Sequence, residues 1–275
     1  MAAVSPFDRA AIAGKPEGIS RAAFKTAVQA AATECPVGSV PRWRAALDSV
    51  AARYEELHMR LPATVNIACT DGTDAGDAVY TRGNTVFMPR AMGAYAGASL
   101  FAHELFHIFS RHNPAVASKL YAQIGFTPAP PLQWPAEWID ARISNPDAPF
   151  DRHTIRAETP KGAYSVMPLM VARRTALQPG ETFFSVLDVR LLAVVPAADG
   201  KASLPLRQNG QLVWFDANTT ESYLRQLGGN TPYIVHPEET MADNIMLLVT
   251  GRTARNPALI ERLRNVLTAS ATSLK

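Results

Sequence analysis

The segment that most limits how this chain can fold is residues 95–111. It has a helical pattern in which Leu100, Phe101, Leu105, Phe106, Ile108 and Phe109 leave only a narrow polar strip. A helix that is apolar around most of its circumference is stable only when other elements enclose it, so this one is expected to be buried. A chain of 275 residues is long enough to build that enclosure without staples. Before the buried helix, Ser20 caps a helix running to about residue 33. Pro41 opens a second, with Leu47, Val50, Tyr54 and Leu57 on one face, that ends near residue 62. Strands are expected at 64–69, 78–82 and 84–88, the last two joined at Gly83 and Asn84. After it, Asn113 and Pro114 start a helix that stops at Gly125, and a proline-rich loop covers 127–149. Strand patterns at 153–157, 163–172, 183–195 and 211–215 predict a mainly antiparallel region. Helices return at 219–227, at 237–249 and from Pro257 onward.

These elements predict an α+β fold in one domain over 1–275. Helices occupy 1–62, a small mixed sheet and the buried helix 63–126, the proline-rich loop and a β-rich insertion 127–216, and C-terminal helices 217–275. The formal charge of +3, with arginines scattered, is too weak a field for duplex nucleic acid or an anionic membrane, so neither is an expected partner. No apolar run approaches the ~20 residues of a membrane span. The first residues lack the pattern of a secretory leader, which makes the cytoplasm the default compartment; a leader removed beforehand would leave the same sequence in an exported protein. Cys35 and Cys69 are expected to be two buried thiols, with a single bridge between them as the alternative.

The polar strip of the buried helix reads His103, Glu104, Leu105, Phe106, His107, an HExxH pattern. Residues four apart share a helix face with Cβ atoms ~5–6 Å apart, so both imidazoles can reach one Zn2+ at ~2.0–2.1 Å. Glu104 flanks that face, where it can take a proton from a metal-bound water and pass it to a leaving amine. Two imidazoles on so apolar a helix need a partner, and a metal is the simplest. A catalytic zinc also needs a third protein ligand. The extended pattern with a third histidine six residues after His107 fails, because Ser110 and Asn113 stand where glycine and histidine are required, and His112 is off register.

The other source is the helix at 237–249, which carries Glu239 and Asp243 four apart on one face. Glu239 is assigned to the metal, and Asp243 to the free ring nitrogen of His103 or His107, where it fixes the tautomer. Glu238, ~100° around the helix from Glu239, is the alternative ligand. With HExxH on one helix and ExxxD on a later one, the chain resembles the gluzincins, the thermolysin-like zinc metallopeptidases, over roughly 64–125 and 231–250.

The resemblance implies a gluzincin-like fold: a small mixed sheet with an edge strand, active-site helices, and here a β-rich insertion between the two motif helices. It implies one Zn2+ per chain and a peptide or protein substrate. It also implies that an edge strand before the first motif helix pairs with extended substrate, a role that falls to Asn84, Thr85, Val86 and Phe87. The chain departs from thermolysin in its strand-rich interval between Glu104 and Glu239, and in having no histidine after His236. The usual downstream transition-state histidine is therefore missing, and Tyr233, His236 and His153 are the candidate oxyanion donors. The leading expectation is a zinc metallopeptidase. The alternatives are a zinc-binding protein without turnover and a zinc hydrolase acting on a non-peptide substrate.

Overall fold

The computed structural model describes residues 4–13, 18–175, 177–178, 181 and 184–272, and it is a mixed α+β structure with several sheets. In chain order the helices are α1 (Pro6–Ala13), α2 (Arg21–Ala30), α3 (Val40–Glu56), α4 (Ala98–His112), α5 (Pro114–Ala122), α6 (Ala136–Ile139), α7 (Glu221–Leu227), α8 (Pro237–Thr250) and α9 (Pro257–Thr272). The strands are β1 (Ala32–Thr33), β2 (Asn66–Thr70), β3 (Tyr80–Arg82), β4 (Thr85–Pro89), β5 (Phe126–Pro128), β6 (His153–Thr159), β7 (Gly162–Ala172), β8 (Leu187–Pro196), β9 (Ser203–Pro205), β10 (Arg207–Gln208), β11 (Gln211–Leu212) and β12 (Trp214–Asp216). Where the sequence reading draws one domain, the fold divides into two compact units. The first comprises Met1–Ala27, Ile124–Leu227 and Ile234–Pro237, the second Val28–Gln123, Gly228–Tyr233 and Glu238–Lys275. Among the described residues no helix is long and apolar enough to cross a membrane.

The second unit contains the predicted buried helix. In α4, Phe101, Leu105, Phe106, Ile108 and Phe109 are all removed from solvent, each gaining ~1.5–3 kcal/mol from burial. Helix α3 fixes α4 from one side, because the buried Tyr54 hydroxyl donates to the Ala102 carbonyl at 2.7 Å. The approach to α4 is clamped as well. Trp43 Nε1 and Arg42 Nη2 both donate to the Gly93 carbonyl, at 3.0 and 2.6 Å. Only glycine fits at that point, since a Cβ there would stand 2.9 Å from Trp43 Cζ2. At the far end of α4, Asn113 does not cap α5 with its side chain. Its amide donates instead to the carbonyls of Phe109 and Arg60, at 2.9 and 3.0 Å.

The sheet of this unit has the order β1-β2-β4-β3, with β2 parallel to β4 and both outer strands antiparallel to their neighbours. This corrects the expected substrate edge. Thr85, Val86 and Phe87 are paired on both sides, with Asn66, Ile67 and Ala68 on one and Arg82, Thr81 and Tyr80 on the other. Asn84 lies in the turn, and its carbonyl accepts the Asn66 N–H at 2.9 Å. The physical cause is the two-residue turn at Gly83 and Asn84. Gly83 supplies the positive φ of 55° that its first position needs, and the chain folds β3 back along the outer side of β4. In such a hairpin Thr81 and Val86 form the pair whose backbone groups do not bond each other, so the Thr81 carbonyl points outward. Arg111 of α4 covers it, donating to that carbonyl at 3.3 Å and to the Thr81 hydroxyl at 2.6 Å.

The first unit is the β-rich region, and its sheet is antiparallel throughout, in the order β12-β8-β7-β6-β5 with β9 also on β8. Phe183, where the sequence pattern starts the strand at 183–195, lies outside the described residues. One face of β7 and β8 buries Met167, Leu169, Val171, Leu192 and Val194 against Trp138 of the proline-rich segment. That segment keeps its loop character apart from the short β5 and α6.

Cys35 and Cys69 correct the expectation of two thiols: they form a disulfide across a separation of 34 residues, beside the pairing of β1 with β2. A loop of that length implies ~3–4 kcal/mol of stabilisation through the constrained unfolded chain. Replacing both cysteines by serine should lower the unfolding free energy by about that amount in a denaturant titration, and the unreduced wild type should show no thiol reactive to alkylation after denaturation. Full alkylation of the unreduced protein would contradict the bridge.

Candidate metal centre

The centre is assembled within the second unit from two helices that the sequence separates widely. On α4, His103 and His107 are one turn apart with ring centroids 4.9 Å from each other. Helix α8 faces them with consecutive acids. Glu239 Oε2 lies 3.2 Å from His103 Nε2 and 3.6 Å from His107 Nε2. The other ring nitrogens are also met by carboxylates: His103 Nδ1 is 2.8 Å from Asp243 Oδ1, and His107 Nδ1 is 2.9 Å from Glu238 Oε1. A carboxylate can only accept, so each Nδ1 that faces one carries a proton, and a cation taking the place of a proton on Nε2 would meet the lone pair there.

This geometry places Glu238, the alternative ligand on the sequence, at His107 Nδ1. Two further donors hold it there. The Ser110 hydroxyl donates to Glu238 Oε1 at 2.6 Å, and the Tyr121 hydroxyl of α5 donates to Oε2. Burial, followed by the charge of Glu238, pushes the Tyr121 phenol well above its ordinary pKa, so it remains a donor. Asp243 is held in the same manner, its Oδ2 accepting the Thr231 hydroxyl. Both imidazoles thus have an orienting carboxylate, and each carboxylate has its own anchor.

Glu104, His107 and Glu239 are 3%, 1% and 2% exposed, so the site concentrates carboxylate charge in the interior. Burial opposes the protonation of His103. It is outweighed by the hydrogen bonds to Asp243 and Glu239 and by the charges of Glu104 and Glu239, which together raise the His103 pKa well above the ordinary imidazole value. The site favours positive charge at this ring, and a divalent cation would satisfy the same demand.

The donor set could hold a metal ion. One nitrogen from each imidazole and one Glu239 oxygen all lie within 4.8 Å of one another. Ligands ~2.0–2.1 Å from a tetrahedral ion are separated by ~3.3–3.4 Å, close to the 3.2 and 3.6 Å between Glu239 and the two rings.

Of the three candidate oxyanion donors, only Tyr233 belongs to this unit. Its ring lies nearly parallel to that of His103, at 6.2 Å and 17°, and the residue is 38% exposed. His153 and His236 belong to the first unit, where their rings meet edge to face at 6.4 Å. His112 sits at the end of α4 with Nε2 2.7 Å from Asn84 Oδ1. Ser110, Tyr121 and Thr231 are site residues that the sequence reading passed over. Ser110 is three residues from His107 on α4, a spacing that could have flagged it; the other two are brought in by tertiary folding alone.

Comparison with known proteins finds no matching family model, no matching curated protein and no matching solved structure.

Zinc titration separates the roles of the three acids. Glu238→Ala and Asp243→Ala should each weaken zinc binding by ~10–100-fold, as loss of an orienting partner does. Glu239→Ala should weaken it further than either. A Glu238→Ala variant that loses zinc more completely than Glu239→Ala would make Glu238 the ligand.

Proposed function

We propose that this chain is a zinc-dependent metallopeptidase of the gluzincin kind, with one Zn2+ held by His103, His107 and Glu239. The observation that carries the reading is the convergence of both Nε2 atoms on one Glu239 oxygen while carboxylates occupy both Nδ1 atoms. The grouping of α4, α8 and a small mixed sheet in one unit, with the β-rich insertion between the motif helices belonging to the other, supports the same assignment. A bound zinc ion supplies a polarised substrate carbonyl and a water of lowered pKa.

The chain's own residues supply the rest. Asp243 and Glu238 keep the imidazoles in the tautomer and aim that metal binding needs. Glu104, adjacent to His103 on a buried turn of α4, accepts a proton from the attacking water on a carboxylate oxygen and delivers it to the leaving amine. Tyr233, whose exposed ring lies over His103, is the residue assigned to donate a hydrogen bond from its phenol to the developing oxyanion.

The pairing of β4 on both sides leaves β3 as the edge strand before α4, where Arg111 already occupies the outward Thr81 carbonyl, and this favours a second reading in which the same centre hydrolyses a non-peptide substrate. Digestion of a peptide library by the zinc-loaded protein, with and without a chelator, distinguishes the two.

His103→Ala should lose the metal. Glu104→Gln should retain it and hydrolyse ~10²–10⁴-fold more slowly, since an amide cannot act as a base. Equal rates for wild type and Glu104→Gln would sink the mechanism. Zinc-dependent hydrolysis of esters or small amides, with the peptide library untouched, would select the second reading.

A further inference from the structure

We propose that Thr231 is a positioning residue of the metal centre, whose hydroxyl couples the aim of His103 to the loop that presents Tyr233. The inference rests on the reading of His103 as a metal ligand. Its basis is a continuous path of hydrogen bonds. The Tyr233 backbone N–H donates to Thr231 Oγ1 at 2.9 Å, the Thr231 hydroxyl donates to Asp243 Oδ2, and Asp243 Oδ1 lies 2.8 Å from His103 Nδ1. A hydroxyl has one proton to give and lone pairs with which to accept, and here both capacities are used. Each end of the path therefore depends on the same group.

The surrounding loop is built to hold Thr231 in place. Gly228 and Gly229 turn the chain out of α7 with φ of 82° and 70°. Asn230 then ties the loop to two elements: its amide donates to Asn244 Oδ1 at 2.8 Å, and its Oδ1 accepts the Asn256 N–H at 2.6 Å. At the far end the Tyr233 carbonyl accepts the Thr240 hydroxyl at 2.9 Å. Thr240 and Asn244 are four apart on α8, as Glu239 and Asp243 are, so one helix face carries the acids and the neighbouring face carries the loop anchors.

Thr231 joins the two faces. The Asp243 side chain is 24% exposed, open enough to rotate toward water if its second oxygen were released. With Thr231 on Oδ2, Oδ1 stays on the imidazole. The same hydroxyl sets the backbone from which the Tyr233 ring lies 6.2 Å from His103. Metal affinity and the order of the Tyr233 loop are therefore one coupled property.

A double-mutant cycle tests this, with zinc affinity measured by competition against a chromophoric chelator. Thr231→Val should weaken binding by ~3–10-fold, less than loss of a group bonded directly to a ligand, while Thr231→Ser, which keeps the hydroxyl, should stay within about 2-fold. In an Asp243→Ala background Thr231→Val should cause no further loss, because the path is already cut. Hydrogen exchange of the Tyr233 amide in the zinc-free protein should be faster in Thr231→Val and unchanged in Thr231→Ser. Should the valine variant fail to fold, Thr231→Ala takes its place in the cycle. Wild-type affinity in the valine variant, or a loss that adds in full to that of Asp243→Ala, would overturn the coupling with the zinc centre intact. A wild type that takes up no zinc would overturn this inference together with the reading beneath it.

Discussion

The second unit depends on how it accommodates carboxylate charge in its interior. Glu104, Glu238 and Glu239 are almost wholly buried, and Asp243 stands against the His103 imidazole. Removing one partner from such a set typically costs ~3–5 kcal/mol, because a buried charge is left uncompensated. The surrounding structure supplies donors for the acids from α4, α5 and the loop at 228–233. Ser110, Tyr121 and Thr231 each give a proton to an acid that in turn orients a histidine. Burial disfavours the charged His103 ring, and the hydrogen bonds to Asp243 and Glu239 with the charges of Glu104 and Glu239 push its pKa the other way, above the ordinary imidazole value.

That arrangement is possible only because α4 is held firmly. An enclosed helix has no solvent face on which to slide, and Tyr54, Arg111 and Asn113 fix its start, its polar end and its exit. The face that carries His103 and His107 is thereby aimed at α8 by packing remote from those side chains, which is the kind of support a preorganised site needs. Helix α8 is buried on the acid-bearing side and on the loop-bearing side, so Glu238, Glu239, Thr240, Asp243 and Asn244 all have assigned neighbours in the second unit.

What could be read from the sequence is what helical periodicity controls. The pairing of His103 with His107 and of Glu239 with Asp243 follows from spacing alone, and α4 lies within three residues at the start and one at the end of its predicted 95–111. Glu238 shows the limit of such reasoning. Its angle to Glu239 is legible, but which ring it meets depends on how α8 crosses α4. Strand order was equally hidden: the hairpin at Gly83 was predicted, yet whether β2 or solvent lies on the other side of β4 depends on a parallel crossover that no local signal specifies. The division into two units rests on long-range contacts, such as the Ser144 N–H donating to Asp8 Oδ1 at 3.1 Å. The disulfide runs against the expectation of two thiols because spacing does not reveal whether two cysteines face each other.

The most direct test of a zinc centre built from α4 and α8 is anomalous diffraction at the zinc edge, from crystals of the protein supplied with one equivalent of zinc. One peak per chain is predicted, bounded by His103 Nε2, His107 Nε2 and a Glu239 oxygen, with Asp243 and Glu238 remaining on the two Nδ1 atoms. An empty site, or a peak coordinated by Glu238 or by residues outside this cluster, would contradict the account.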